Sequence, residues 1–312
     1  MASANIVVVG SCMIDFTSYC PRLPKEGETI HGTQFKTAFG GKGGNQCVAA
    51  AKLGGKTALV ARLGDDTWGG QYVTNLKDLN VDSSFVKISA NVSSGIAQIN
   101  VDESGANQIV IIAGANSYLN EADVENAKEI ITEAAVVLCQ LETKWEVAVK
   151  TLELCKGISI LNGAPAVSKC DDRLFSLPTI FCVNEHEASI FAGVPVRNLS
   201  DAKVAIKILL GKGCNTVVLT MGSQGSCLAS KKSPDPIHVP SRAVQCTDST
   251  GAGDSFIGTL AYLLANRNDI SLEKCVEISN YVAADSVTRL GTQSSFAGPE
   301  ILKQYFNSYL GA

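Results

Sequence analysis

The feature that most constrains this 312-residue chain is a set of short runs that are apolar on both faces, separated by longer stretches with helical periodicity. The runs fall at 6–9, 57–61, 136–139, 158–161, 180–183 and 216–220. A strand with one face in water alternates apolar and polar residues, and these runs do not. They predict strands of a parallel sheet covered on both sides. Helical patterns near 44–53, 121–133, 145–155, 185–192, 200–212, 253–266 and 271–288 supply the cover. Parallel neighbours need crossover connections, which pack back on the sheet with a right-handed turn. The predicted fold class is therefore α/β: a doubly wound, mostly parallel sheet flanked by helices.

Several helix starts and stops are marked. Asn120 precedes Glu121 and has Asp123 three residues on, the spacing of a capping box. Ser200 precedes Asp201, and Ser271 is followed by Glu273. Gly211 and Gly213 suit a helix end near Leu210. Two regions break the alternation. Residues 12–37 hold Pro21, Pro24, Gly27 and Gly32, with an expected strand at 28–32. Residues 94–112 read as a β-hairpin turning at 102–107, where Asp, Ser, Gly and Asn provide the turn. Strands with no helix between them predict a separate small sheet, which would serve as a lid. The chain reads as one catalytic domain over 1–312 with that lid, built from about 12–37 and 94–112, inserted in it.

A hydrophobic fraction of 46% against 18% charged residues supports a large core and argues against disorder. A net charge of −4 gives no basic footprint for nucleic acid or an anionic membrane. The N-terminus has no basic start and no long apolar run, so it reads as a first strand rather than a signal. Eleven cysteines, with no C-x-x-C spacing, sit mostly in strand-like runs. They read as free buried thiols in a reducing compartment, the cytoplasm, with the nucleus as the second option. His31, His186 and His238 have no mutual metal spacing.

Two glycine-rich segments carry the chemistry. In Ala38-Phe39-Gly40-Gly41-Lys42-Gly43-Gly44-Asn45-Gln46, glycines before a helix let a ligand approach the backbone, and Lys42 and Asn45 offer donors to hydroxyls or phosphates. In Thr247-Asp248-Ser249-Thr250-Gly251-Ala252-Gly253-Asp254-Ser255-Phe256, small residues open an apolar helix. The first-turn N–H groups there form an anion site. Asp254 lies inside that site. It reads equally as an early-turn acid or as a base taking a hydroxyl proton beside a phosphoryl group. Glu142, at the end of an apolar strand, faces the crevice where open α/β sheets bind ligands. Trp68 reads as packing at a helix start. Familiar nucleotide motifs do not fit: Gly55-Lys56-Thr57 lacks a P-loop's earlier glycine, since Ala50 stands there. No G-x-G-x-x-G follows the first strand, and the protein-kinase set is missing.

Taken together, the two glycine segments, Gly10-Ser11-Cys12-Met13-Ile14-Asp15, Pro24-x-x-Gly27-Glu28-Thr29 and Gly64-Asp65-Asp66 resemble the ribokinase (PfkB carbohydrate kinase) family over nearly the whole chain. The resemblance implies ATP-dependent phosphorylation of D-ribose at O5. It implies Asp254 as catalytic base, with the N–H groups of Gly251, Ala252 and Gly253 stabilising the transferring phosphoryl group. Met13, Asp15, Gly41, Lys42, Gly43, Gly44, Asn45, Glu142 and Asp254 would hold the sugar. Asn184, Thr220, Met221, Gly222, Ser223, Gln224, Gly225, Gly253 and Asn280 would hold ATP. Glu187 would serve Mg²⁺ through water. Asp248, Thr250, Ser286, Arg289, Gly291 and Ser295 would bind K⁺, largely through carbonyls. A homodimer clasped through the lids is also implied.

Two positions depart from the family pattern. Met13 stands where Asn is frequent, which removes a hydrogen bond and leaves room for 2-deoxyribose. Gly163, in Asn162-Gly163-Ala164-Pro165, is expected to loosen its loop. The alternatives are a kinase of 2-deoxyribose, fructose or adenosine, and, outside enzymes, a catalytically dead sugar- or nucleotide-binding regulator.

Overall fold

A computed structural model describes residues 4–167 and 170–310, with side chains described as far as residue 307. Thirteen strands appear in chain order: β1 Ile6–Val9, β2 Met13–Cys20, β3 Gln34–Gly40, β4 Thr57–Gly64, β5 Val86–Ser89, β6 Gly95–Asp102, β7 Asn107–Ile112, β8 Val136–Cys139, β9 Ile158–Asn162, β10 Ile180–Asn184, β11 Thr216–Thr220, β12 Ser226–Ser230 and β13 Ser233–Val239. Nine of them form one sheet in the order β13-β12-β11-β10-β9-β8-β1-β4-β5. Every pairing from β11 to β5 is parallel, and β12 and β13 add on antiparallel. This is the expected doubly wound sheet.

The residues of β1 explain why it sits at the centre. All four are buried. Ile6 and Val8 pack with the helices Lys42–Lys52, Ala252–Asn266 and Leu272–Ser286. Val7 and Val9 pack on the opposite face with Leu119, Val124, Ile131 and Val147. Successive side chains point to opposite faces, so an all-apolar strand needs cover on both. Among the described residues no helix is long and apolar enough to cross a membrane.

The other four strands make a separate sheet in the order β3-β2-β6-β7. The hairpin β6–β7 lies where the sequence predicts it. The rest of the small sheet differs. Residues 28–32 form no strand; β2 and β3 pair antiparallel instead, and the Pro- and Gly-rich stretch becomes their connection. Most residues of β2 are only half-buried and most of β3 is exposed, so neither shows an apolar run. The hairpin β12–β13 was also not predicted. Pro234 and Pro236 argue against a strand, yet β13 is the sheet's edge, where a missing N–H is tolerated. The helices Thr67–Asp78 and Glu300–Leu310 add to the predicted set, and Trp68 packs edge-on to Phe16 at 5.1 Å.

Capping follows the sequence with one correction. Asn120 and Asp123 form the expected box, and Ser271 accepts from the Lys274 N–H. The helix expected to begin at Ser200 begins at Leu199. Its cap is Asn198, whose Oδ1 lies three residues from the Asp201 N–H it accepts.

Candidate active site

In the main sheet β4 and β5 lie on one side of β1, and β8 to β11 on the other. The strand order reverses between β1 and β8, and in open α/β sheets such a point leaves a crevice at the carboxyl ends of the strands. The residues just past those ends are Gly10 and Ser11 after β1 and Gln140 and Glu142 after β8. Asn162 closes β9, Asn184 closes β10 and Thr220 closes β11. Two helices deliver the glycine segments to the same edge. Lys42–Lys52 and Ala252–Asn266 pack side by side, and an added Cβ at Gly258 would stand 2.5 Å from the Ala49 Cβ.

Asp254 lies in the first turn of the second helix and is 8% exposed. Asn45 Nδ2 donates to its Oδ2 at 2.9 Å, and Gln46 Nε2 donates to its Oδ1 at 3.0 Å. A small cavity opens beside it, lined by Lys42, Asn162, Glu187 and Gly251 to Gly253 among others. Burial pushes the Asp254 carboxyl up, while Lys42, Asn45 and Gln46 pull it down. Burial works against the charge of Lys42, but Asp254, Glu142 and Glu187 outweigh it and raise its pKa. Burial, then the charges of Glu142 and Asp254, push Asp15 up to about 7. Asp15, Glu142 and Asp254 thus stand within electrostatic reach of one another, an acceptor set suited to a polyol's hydroxyl donors.

The helix that carries Asp254 begins at Gly251, at φ 78°, a left-handed conformation that a side chain disfavours. An added Cβ there would also meet Thr292 Cγ2 at 2.5 Å. The N–H groups of a first helical turn lack carbonyl partners within the helix. Ala252 is the exception to the expected cradle, since its N–H donates to Ser249 O at 3.2 Å. Gly253 has open space where a Cβ would be.

The first glycine segment divides into two uses. Gly41, at φ 85°, turns the chain into its helix, and Lys42 N then donates to Glu142 Oε2 at 2.9 Å. Glu142 therefore caps that helix from the loop after β8, and Ser11 Oγ donates to the same oxygen at 2.5 Å. The N–H groups of Gly43 and Gly44 are turned to Ser11. Gly44 N donates to Ser11 O at 2.9 Å, Gly43 N reaches Ser11 Oγ at 3.4 Å, and a Cβ on Gly43 would meet Gly10 at 2.6 Å. Their closeness serves protein packing. Gly163 is likewise tight rather than loose: a Cβ there would meet Val183 at 2.8 Å and Phe191 at 2.9 Å. Met13 is buried at the start of β2, where it pairs with Gly40 and Gly95.

The residues expected on the nucleotide side split as well. Asn184, Glu187 and Thr220 line the cavity. Asn184 also caps its helix, and Glu187 returns both oxygens to the Asn184 N–H (2.8 Å) and Nδ2 (3.0 Å). Met221 is buried, and Gly222, Ser223 and Gln224 form one exposed turn closed by Gly225 at φ 91°. Asn280 does not line the cavity. It accepts from Ser226 Oγ at 2.7 Å and donates to Val239 O at 3.0 Å.

The residues expected around a monovalent cation fall in two hydrogen-bonded groups. Asp248 accepts from the Thr250 N–H and the Gly291 N–H, each at 2.9 Å. The Arg289 guanidinium donates to Ser295 O, and Arg289 N donates to Ser286 O at 3.2 Å. Carbonyl and carboxylate oxygens with spare lone pairs suit a hard cation. Among the described residues no cluster of three His, Cys, Asp or Glu could hold a metal ion.

Gln46, Gln140, Asn162, Gln293 and Tyr72 were not singled out from the sequence, yet all are buried around this site. Only Gln46 carried a signal, as a polar residue next to Asn45 on an otherwise apolar helix.

Comparison with known proteins agrees with this arrangement. Residues 3–297 match the model of the pfkB family carbohydrate kinases. The chain is 45% identical to the ribokinase of Mus musculus, covering 94% of this chain and 92% of that one. It is 37% identical to a deoxyribokinase of Salmonella typhi, covering 98% of each. The structure of Arabidopsis thaliana ribokinase complexed with ribose and ATP superposes with a TM-score of 0.88 at 30% identity, covering 96% and 98% of the two chains. A helix start with no side-chain cap, a buried carboxylate and a group of acceptors near one crevice are thus joined by sequence likeness over almost the full length: the chain belongs to the pfkB family of carbohydrate kinases.

Proposed function

We propose that this protein transfers the γ-phosphate of ATP to O5 of D-ribose. One observation carries the reading: Asp254, held by two amide donors, stands in the first turn of a glycine-led helix, within electrostatic reach of Asp15, Glu142 and Lys42. Asp254 takes the proton of the sugar's primary hydroxyl, the O5–Pγ bond forms, and the bond from Pγ to the bridging oxygen breaks. ADP leaves with that electron pair. The Gly253 N–H and the helix dipole stabilise charge on the transferring group, with Lys42 beside them. Asp15, Asn45, Glu142 and Gly41 hold the sugar's hydroxyls, and residues 220–225 with Asn184 line the nucleotide.

A Mg²⁺ ion would neutralise phosphate charge; Glu187, whose oxygens already accept hydrogen bonds, fits it through water. Asp248, Ser286, Arg289, Gly291 and Ser295 would hold K⁺, which orders the loop around the anion site. All eleven cysteines are free, which fits a reducing cytoplasm. The exposed apolar strand β7 supports a homodimer formed through the small sheet.

A second reading has its own support. Met13 offers no hydrogen bond at the sugar end of β2, and one relative bears the name deoxyribokinase. ATP consumption with ribose, 2-deoxyribose, fructose and adenosine, each in K⁺ and in Na⁺, separates the readings. Ribose is expected to give the highest kcat/KM, with faster turnover in K⁺. No turnover with ribose would defeat the proposal, and equal rates in both salts would remove the cation. Asp254→Asn is expected to keep ATP binding and lose at least ~10²-fold in kcat.

A further inference from the structure

The two amides that grip Asp254 are themselves held by a second tier. Gln293 Nε2 donates to Asn45 Oδ1 at 3.1 Å, and Asn75 Nδ2 donates to Gln293 Oε1 at 3.1 Å. On the other side, Gln140 Nε2 donates to Gln46 Oε1 at 2.8 Å. Each inner amide therefore has its oxygen occupied and must turn its N–H₂ toward the carboxylate.

The polarity of the first relay has an independent anchor. Tyr72 donates its hydroxyl hydrogen to Gly40 O at 2.7 Å, and a carbonyl can only accept. The Tyr72 oxygen is then an acceptor, and it lies 3.2 Å from Gln293 Nε2. Gln293 must present N–H on that side, so Asn45 must present its oxygen to Gln293 and its N–H to Asp254. The segment is fixed in place as well. Lys52, at the far end of the helix carrying Asn45 and Gln46, donates to Gln293 O at 2.6 Å.

The geometry points to Gln293 and Gln140 as positioning residues for phosphoryl transfer: Gln293 locks Asn45, and Gln140, together with Asn162 Oδ1 at 3.1 Å from Gln46 Nε2, holds Gln46 in the amide orientation that donates to Asp254. The inference rests on Asp254 being the base. Its consequence is chemical. An Asn45 amide free to rotate would set Oδ1 against a carboxylate oxygen, an arrangement tolerated only when Asp254 is protonated and unable to act. Lys42, Glu142, Asp15 and Glu187 are the charged groups facing Asp254. Both outer residues are neutral, so replacing either with Leu leaves that set intact.

The test compares Gln293→Leu, Gln293→Glu, Gln140→Leu and Asp254→Asn across pH 5–9, with thermal unfolding to verify the fold. Gln293→Leu is expected to lower kcat roughly tenfold, to leave KM for ATP within about twofold, and to move the acid limb of the kcat profile up by ~0.5–1 pH unit. Its activity relative to the parent protein then falls as pH falls. In Gln293→Glu the ratio is expected to rise as pH falls, because a protonated carboxyl can donate to Asn45 Oδ1 again. Gln140→Leu is the second route should position 293 tolerate neither change, and it should move the same limb. Ratios independent of pH in all three variants, with Asp254→Asn inactive, would overturn the relay. Near-normal turnover by Asp254→Asn would instead overturn the base.

Discussion

Asp15 holds the clearest pH signature of a single residue. In the unfolded chain its carboxyl titrates near an ordinary ~4; in the fold, burial and the neighbouring carboxylates move it to about 7. The folded protein therefore binds more protons across that window. The stability Asp15 contributes is complete below pH ~4 and is lost as pH rises through 7. A shift of that size corresponds to at most ~4 kcal/mol, and partial exposure brings it nearer ~1–2 kcal/mol. Asp15→Asn removes the charge. Without sugar, the variant is expected to gain Tm over the parent protein at pH 8 and to match it near pH 4.5. Ribose affinity should fall for the parent protein as pH drops below 7, and should be weak and flat for the variant. Thermal unfolding and calorimetric titration check both; a Tm difference that does not vary with pH would refute the assignment. The sequence marked Asp15 through its family resemblance alone, because its environment is set by Glu142 and Asp254, far away in the chain.

At the scale of elements, Asp66 ties the two sheets together. It caps the helix Thr67–Asp78 by accepting from Gly69 N at 2.8 Å, and it accepts from Ser94 N at 2.7 Å and Ser94 Oγ at 2.8 Å, immediately before β6. Burial works to raise its pKa, but the bonds from Ser94 and Gly69 outweigh it and hold the carboxyl below its usual value. The stability it adds is present above pH ~4 and is lost as pH falls through the lowered value. Asp66→Ala is expected to cost about 1–2 kcal/mol at pH 7 and less at pH 3, as denaturant titrations would show. An equal cost at both would mean the carboxylate charge is not involved. What the sequence made legible follows the same division. Buried parallel strands and the Asn120 and Ser271 caps declare themselves locally, by apolar runs and by three-residue spacing. Strands β2, β3 and β13 do not, because their pairing partners rather than their own patterns make them strands. Gln140 and Gln293 are equally silent, since a lone Gln signals nothing until the fold brings it to a carboxylate.

At the scale of the whole molecule, the small sheet ends in an edge that nothing among the described residues covers. All of β7 is exposed, and Ile109, Val110, Ile111 and Ile112 are each at least half exposed, at 52, 62, 58 and 50%. A long apolar edge strand invites pairing with another chain. A second copy offering the same edge would cover both in one symmetric contact. The register links this edge to the site. Ile111 pairs with Ala97, Ala97 pairs with Asp15, and Asp15 pairs with Ala38 at the mouth of the first glycine segment. A contact made at β7 would therefore brace the strand that carries Asp15, the carboxylate proposed to meet the sugar. Ile111→Asp places a charge in that contact without touching the core. The parent protein is expected to sediment at twice the mass of its 32.8 kDa chain, and the variant as a single chain with an unchanged unfolding profile. KM for ribose should rise several-fold while KM for ATP stays put, because only the sugar side hangs from this sheet. A parent protein that sediments as one chain would exclude the dimer. A monomeric variant with unaltered ribose kinetics would keep the dimer but detach it from the site.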